Sequence, residues 1–329
     1  MSRQVVVVGA GVIGLTSALA LAEAGHSVRV VAGETGAGTT SYAAGAMVSP
    51  PFGSEDERLH RWAAATRLRM LELAEDPASG VRCMPTLLAC RMNVPVPPES
   101  ADLDDLHTCA AAELPDGFAL GLRAVLPFVA MPAYLGWLTD RLHDHHVEVE
   151  LGWVSRLDHG LDQTDTVVNC SGVGARELAG DDQVQPDRGQ HVIVRNPGID
   201  SCFYEIAFDG AWASWMVHGD VVVLGGLSTP GDERREPDPQ TAAEIVARCA
   251  AIEPRFVGAE VLEHRVGLRP SRPSVRLEAE ERAGGRVVHC YGHGGMGVAL
   301  SYGSALDVVA QVEPVAELSD PRRRRARPR

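Results

Sequence analysis

Lysine is missing: all 30 basic residues of this 329-residue chain are arginine. The absence excludes a Schiff-base lysine, and with it pyridoxal-phosphate and lysine-aldolase chemistry. It also excludes a phosphate-binding loop closed by Gly-Lys-Ser/Thr. Arginine offers instead a planar fork suited to bidentate recognition of carboxylates. Paired cysteine motifs are missing too. The seven cysteines (Cys83, Cys90, Cys109, Cys170, Cys202, Cys249 and Cys290) are odd in number, form no C-x-x-C and show no framework spacing. They read as small buried hydrophobes of a reducing, cytoplasmic protein. Histidines do not join them at zinc spacing, and His143, His145 and His146 read as the polar end of a helix, so no metal site is expected.

With 45% hydrophobic and 22% charged residues, the composition is that of an ordinary globular protein. The length suits two domains and needs neither metal nor disulfide to fold. The net charge is -14, and six arginines lie in residues 321–329, so the rest of the chain carries -20. An acidic body argues against nucleic acid as a partner. The arginine tail, 316–329, reads as a solvated terminus.

Val5 to Ala22 is a charge-free run of 18 residues behind Arg3, which could be taken for a signal peptide or a short membrane span. Three glycines inside it give a better account. Val5 to Val8 form a β-branched run suited to a buried parallel strand. Gly9-Ala10-Gly11-Val12-Ile13-Gly14 follows, then an alanine- and leucine-rich helix from Leu15 to Ala24 ended by Gly25, then a second strand, Ser27 to Val31. In this strand-turn-helix-strand context G-x-G-x-x-G is a dinucleotide fingerprint. Gly9 makes the tight turn, Gly11 lets backbone approach a pyrophosphate, and Gly14 lets helix and strand pack closely. The pyrophosphate would sit on free N–H groups at the positive end of the helix dipole. Glu34, twenty residues past Gly14, is placed to accept a hydrogen bond from the adenosine ribose of NAD or FAD alike. The motif does not choose between them.

Further along, Ser54 precedes Glu55, Asp56 and Glu57, which predicts a capped amphipathic helix over 55–75. A second helix is expected from Pro132 to His145, and a buried strand from Thr164 to Gly172. Residues 190–227 alternate apolar runs with turns and read as β-rich. Asp238-Pro239 opens a helix through Ala251. Arg286 to Tyr291 reads as a final strand, running into Gly292-His293-Gly294-Gly295-Met296-Gly297 and a last helix to about Gln311. Glycine-rich strand-to-helix turns at both ends imply a discontinuous nucleotide domain with a second domain inserted. The expected class is α/β (α+β overall): a Rossmann-like domain from 1–54, 130–185 and 275–315, and a mainly antiparallel β substrate domain from 55–129 and 186–274. A helix N-terminus after the second turn can stabilise negative charge, which a reduced flavin carries.

Several blocks resemble the D-amino-acid oxidase family of FAD flavoproteins. They are VVVVGAGVIGLTSALAL (5–21), GTTSYAAGA (38–46), VVNCSGVGA (167–175), QPDRGQ (185–190), LGG (224–226), VGLRPSRPSVRLE (266–278) and YGHGGMGVALSYGSAL (291–306). The last two are the specific ones; between 50 and 130 the resemblance is faint. It implies FAD, with a hydride passing from the substrate Cα to the flavin and oxygen reoxidising it to give hydrogen peroxide. The imino acid hydrolyses in water, so the protein supplies orientation and no catalytic triad is needed.

By position, the resemblance assigns Arg276 to the substrate carboxylate and to the flavin site. Gly9, Gly11, Val12, Ile13 and Gly14 become pyrophosphate contacts, with Glu34 at the ribose. Thr39, Thr40, Ala44, Gly45 and Ala46 match the flavin loop, with Cys170 and Gly172 from the 167–175 block. Gly294, Gly295, Met296, Gly297, Val298 and Ala299 form the turn under the flavin ring, Gly295 at the reacting centre. The competing reading of Arg265, Arg269, Arg272 and Arg276 is that they pair with Glu278, Glu280 and Glu281 on a solvated face. Pro270 and Pro273 forbid a helix there.

The departures bear on substrate. Where the family shows two tyrosines before Leu-Gly-Gly, this chain reads AWASWMVHGDVVVLGG, placing Trp212 and Trp215 at the pocket lid; an indole N–H donates but cannot accept. Met296 and Ala299 replace an aromatic and a hydroxyl residue, Gly33 stands where an acidic residue is common, and Met47 and Val48 also differ. No arginine lies in 201–218 to serve an acidic substrate, while Glu205 and Asp209 could favour a cationic one. The expected function is oxidative deamination of D-amino acids, neutral or bulky apolar ones preferred. The expected partners are the amino acid and O2, without nucleic acid or membrane; a homodimer is open to it. The alternatives are a specialised biosynthetic amine or imino-acid oxidase of the same family, a flavin-binding protein without turnover, and, less well supported, a nicotinamide-dependent dehydrogenase.

Overall fold

A computed structural model of the chain describes residues 2–158, 164–207 and 210–312. The charge-free N-terminal run divides as its glycines dictate. Gln4–Val8 is the central parallel strand β1, and Val12–Glu23 is helix α1. The next strand, β2, is Ser27–Ala32 and runs parallel to β1, pairing Val7 with Val30. On the other side of β1 lies the strand Thr166–Asn169, pairing Val168 with Val7. Gly285–Tyr291 and then Arg276–Arg282 extend that side, and Val149–Leu151 closes the edge beyond β2.

α1 is buried almost all round, as a helix without a polar face must be. A β-carbon at Gly14 would overlap the carbonyl of Gly9, so the turn and the helix close on each other only because residue 14 is glycine. Helices Met131–Asp144 and Gly297–Val312 pack against α1, and the core between them and the sheet includes Val7, Leu15, Leu138, Val288 and Val308. Among the described residues no helix is long and apolar enough to cross a membrane.

The second sheet has nine strands and is mainly antiparallel. Gln185–Arg195 pairs on one edge with Val261–Ser271 and on the other with Val221–Leu227, followed by Ala211–His218 and Cys202–Glu205. The stretch of faint resemblance supplies the rest: Val81–Cys90, Leu120–Val129 and Asp104–Thr108, with Val81–Cys90 joined parallel to Cys202–Glu205. Helix Pro239–Ile252, capped by Asp238 accepting from the Thr241 N–H, covers one face of this sheet over strands Gln185–Arg195, Ala211–His218 and Val221–Leu227.

The first amphipathic helix is Glu57–Leu73, two residues shorter at each end than expected. Asp56 is its cap, because its carboxylate accepts the Arg58 N–H at 2.9 Å, while Ser54 accepts from the Asp56 N–H one step earlier. All seven cysteines are free, five of them buried. Among the described residues no cluster of His, Cys, Asp and Glu is placed to hold a metal. Asp209 and the arginine tail lie outside the described residues.

Candidate active site

Between the two sheets lies a cavity of about 660 Å³. One wall is the glycine turn after β1, with Gly9, Gly11, Val12 and Ile13. Gly9 has φ +111° and a β-carbon there would stand 2.5 Å from the Cys170 carbonyl oxygen, so only glycine makes this turn. At Gly11 a β-carbon would press on Ser41 Oγ, which accepts the Val12 N–H at 2.9 Å. Beside it, with Gly297 in van der Waals range of Val12, is the second turn, where Gly294, Gly295, Gly297 and Val298 open helix Gly297–Val312. Neither helix start carries an acidic residue in its first turn. Two positive helix ends therefore meet one cavity whose floor is backbone rather than side chain. This fits a dinucleotide: N–H groups and dipoles for its phosphates and its electron-rich ring, and no β-carbons in the way.

Glu34, Thr39, Thr40, Ala44, Cys170 and Gly172 also line the cavity. Thr40 donates its hydroxyl to the Leu268 carbonyl, which ties the segment around Thr40 to the second sheet. The Glu34 carboxylate is held by Arg235 at 2.9 and 3.0 Å, an arginine from the other half of the molecule. Gly14 stays behind the wall in its packing role. Gly45 and Ala46 lie off the lining. Gly45 faces the Met216 side chain, and Ala46, at φ +61°, is buried beside Val48 and Val129. Met296 packs with Trp62 and Leu300, and Ala299 is in the core beneath helix Gly297–Val312.

Arg269 is one of two arginines that line the cavity among the described residues, the other being Arg235. It stands on Val261–Ser271, opposite Asp187 in the neighbouring strand. Its Nη1 donates to the Leu227 carbonyl at 2.9 Å and contacts Asp187 at 3.4 Å; Ser228 holds the same Asp187 carboxylate. The guanidinium lies over the α-carbon of Gly189, where any β-carbon would overlap it, and its Cδ passes 3.5 Å from a β-carbon position at Gly295. The Tyr204 hydroxyl lies close by. Burial pushes its pKa up, against the pull of Arg269, so it keeps its proton. His191, also on the wall, bonds the Ala43 carbonyl at 2.6 Å and is held down to about 4, chiefly by burial, so its ring is neutral. Burial does the same to His293 in the second turn.

Arg276, seven residues on, stands elsewhere. The chain crosses from one sheet to the other between Ser271 and Arg276, and Arg276 pairs with Tyr291 at the edge of the nucleotide sheet. It lies off the cavity lining. Its Nε donates to Glu278 at 2.7 Å, its Nη1 to the Tyr291 hydroxyl at 2.8 Å, and its Nη2 to Glu280. Burial alone would lower its pKa, but these partners raise it. The competing reading, pairing with Glu278 and Glu280, describes what this side chain does.

The tryptophans part ways. Trp215 points to the far face of the second sheet, stacked on Phe203 and edge-on to Phe256, with its N–H on the Ser201 carbonyl. It is a core residue and no lid. Trp212 lies over Gly226 and against Tyr204, next to the cavity but outside its lining. Glu205 is occupied by Arg91 at 2.6 Å and by the Ala213 N–H at 2.8 Å. Sequence reasoning did not single out Arg269, which lines the cavity, and the signal was Gly189 and Gly267. These glycines pair across the two strands and hollow one face of the sheet beside Arg269.

Comparison with known proteins places this architecture. Residues 4–311 match the DAO family, described as FAD dependent oxidoreductase. A D-amino-acid oxidase of Rubrobacter xylanophilus is 45% identical over 307 residues, 93% of this chain and 94% of its own. One of Streptomyces coelicolor is 41% identical over 317 residues, 92% of this chain and 94% of its own. Among solved structures, a glycine oxidase of Geobacillus kaustophilus superposes with a TM-score of 0.79 over 97% of both chains; at 21% identity that likeness concerns the fold. The chain belongs to the DAO family of FAD-dependent oxidoreductases.

Proposed function

We propose that this protein oxidatively deaminates D-amino acids with neutral side chains, and that Arg269 anchors the substrate carboxylate. The observation that carries the reading is the position of the Arg269 guanidinium, on the cavity wall between Gly189 and Gly295. An arginine fork can bind a carboxylate through two parallel hydrogen bonds, fixing orientation as well as position. Asp187 and the Leu227 carbonyl hold Nη1, so the fork is oriented before substrate arrives. FAD, when bound, supplies the redox chemistry by accepting the hydride of the substrate Cα. What the chain contributes is placement. Tyr204 remains a hydroxyl donor beside the anchor, and the neutral His191 adds no second charge.

Side-chain preference follows from what surrounds Arg269. Glu205 is already paired, and Asp187 is shared between Arg269 and Ser228, so at this end of the cavity neither carboxylate is free to hold a cationic side chain. Leu268, Pro270 and Ala43 line the same end and are apolar. The 45% and 41% relatives, both named D-amino-acid oxidase, support the D-configuration. Oxygen as acceptor, hydrogen peroxide as second product and a cytoplasmic setting belong to the same proposal. The seven free cysteines suit a reducing compartment.

The test is the visible absorbance of the purified yellow protein under anaerobic conditions. D-amino acids with neutral side chains are expected to bleach it and L-amino acids to leave it unchanged. A flavin that none of the D-set reduces would overturn the reading, as would reduction by the L-set alone.

A further inference from the structure

The cavity has an outer end that the substrate reading does not use. There β2 finishes in Ala32, Gly33 and Glu34, and the strand Val149–Leu151 beside it runs out into Gly152 and Trp153. The Gly152 N–H donates to the Ala32 carbonyl at 2.9 Å, which holds the two chain ends side by side. Trp153 lines the cavity although it is 82% exposed, an unusual position for the largest apolar side chain. Its six-membered ring edge rests on Gly33: a β-carbon at that position would stand 3.2 Å from Trp153 Cε3. Space that any other residue at 33 would restrict is taken by the indole. Its opposite face meets no neighbouring ring among the described aromatic pairs.

The position along the cavity is set by the dinucleotide geometry. The glycine turn after β1 takes the pyrophosphate, and an acidic residue at the end of β2 takes the adenosine ribose. An adenine would then fall beyond Glu34, where Gly33, Gly152, Trp153 and Ser155 line the cavity. A purine has two π-faces and no charge, and an indole is the best-matched protein surface for it. We propose that Trp153 is the platform on which the adenine ring of FAD stacks. Arg235, bound to Glu34 from the other half of the molecule, closes the same end. The proposal rests on the flavin dependence of the family and stands apart from the substrate assignment.

Because Trp153 is exposed, its replacement leaves the core intact, and a binding measurement can be read without a folding defect. FAD release is followed by flavin fluorescence on dilution of the holoprotein, for the natural chain, Trp153→Ala and Trp153→Phe. ADP, which carries the adenine end and lacks the flavin ring, is used as a competitor for FAD rebinding. Loss of a base–aromatic stack is expected to raise the FAD Kd about 10-fold or more in Trp153→Ala, and to weaken ADP competition by a similar factor. Trp153→Phe is expected to recover most of both. FAD and ADP affinities within twofold of the natural chain in Trp153→Ala would overturn the proposal. So would a loss confined to FAD with ADP unaffected, which would put the indole at another part of the cofactor. A changed oligomeric state on size exclusion with unaltered FAD affinity would make the indole an interface residue and overturn it equally.

Discussion

Arg269 and Arg276 are seven residues apart on one extended segment, and they live in different worlds. Both are mostly covered, with side chains 18% and 16% exposed. Arg269 belongs to the second sheet, where its guanidinium packs over the α-carbon of Gly189 and a single carboxylate, Asp187, and the Leu227 carbonyl hold one nitrogen. Arg276 belongs to the nucleotide sheet, where Glu278, Glu280 and Tyr291 take one nitrogen each. On the proposed assignment, the same side chain serves binding where its partners are few and the neighbouring backbone is stripped of side chains. It serves structure where its donors are satisfied. Pairing state, more than proximity in sequence, separates an anchor from a strut.

The largest expected effect attacks the anchor. Arg269→Ala should keep its FAD and lose about 2–5 kcal/mol of substrate interaction, a fall in kcat/KM of roughly 30- to 5000-fold. Steady-state kinetics with the best D-amino acid measures it, and a variant within threefold of the natural chain would remove Arg269 from the site.

Acid should then act through the buried histidines. His191, His218 and His293 are each held down to about 4, mainly by burial. Each is neutral in the folded protein and protonates near 6.5 when unfolded, so the unfolded state binds more protons between those values and stability rises with pH across that window. The thermal midpoint of the holoprotein is expected to be flat above about pH 7 and to fall steadily as pH drops from 6.5 towards 4. A midpoint unchanged at pH 5 would mean these rings are solvated or paired.

The strut gives a smaller effect of a different kind. Arg276→Ala removes three hydrogen bonds, but Glu278 and Glu280 are partly exposed and can rehydrate, so the cost is about 1–3 kcal/mol of stability, a few degrees in Tm. Its substrate KM should stay within about threefold, since the site is not touched. A KM collapse with unchanged Tm would exchange the roles of the two arginines.

Much of the nucleotide half was legible in the sequence because its constraints are local. Gly9, Gly11 and Gly14 announce a turn whose geometry needs glycine, and β1, α1 and β2 follow within a residue or three of where the pattern puts them. Asp238-Pro239 marks a helix start by cap chemistry alone. The arginine assignment depended on non-local information. Alternation along an extended segment says which residues share a face, but Ser271 and Arg276 belong to different sheets, and the crossing between them resets that face. The tryptophans suffered similarly. A register shift between Ala211 and Ser214 puts Trp212 beside Tyr204 and leaves Trp215 facing helix Pro239–Ile252. Arg235 on Glu34 joins residues 201 apart in sequence, which no periodicity foretells.

The division of labour is tested most directly by titrating a simple competitive carboxylic acid into the holoproteins of Arg269→Ala and Arg276→Ala, with the flavin absorbance as readout. The account expects the carboxylate to bind Arg276→Ala almost as it binds the natural chain, and to leave the flavin spectrum of Arg269→Ala unmoved at concentrations that saturate the other two. Tight binding to Arg269→Ala together with lost binding to Arg276→Ala would contradict it.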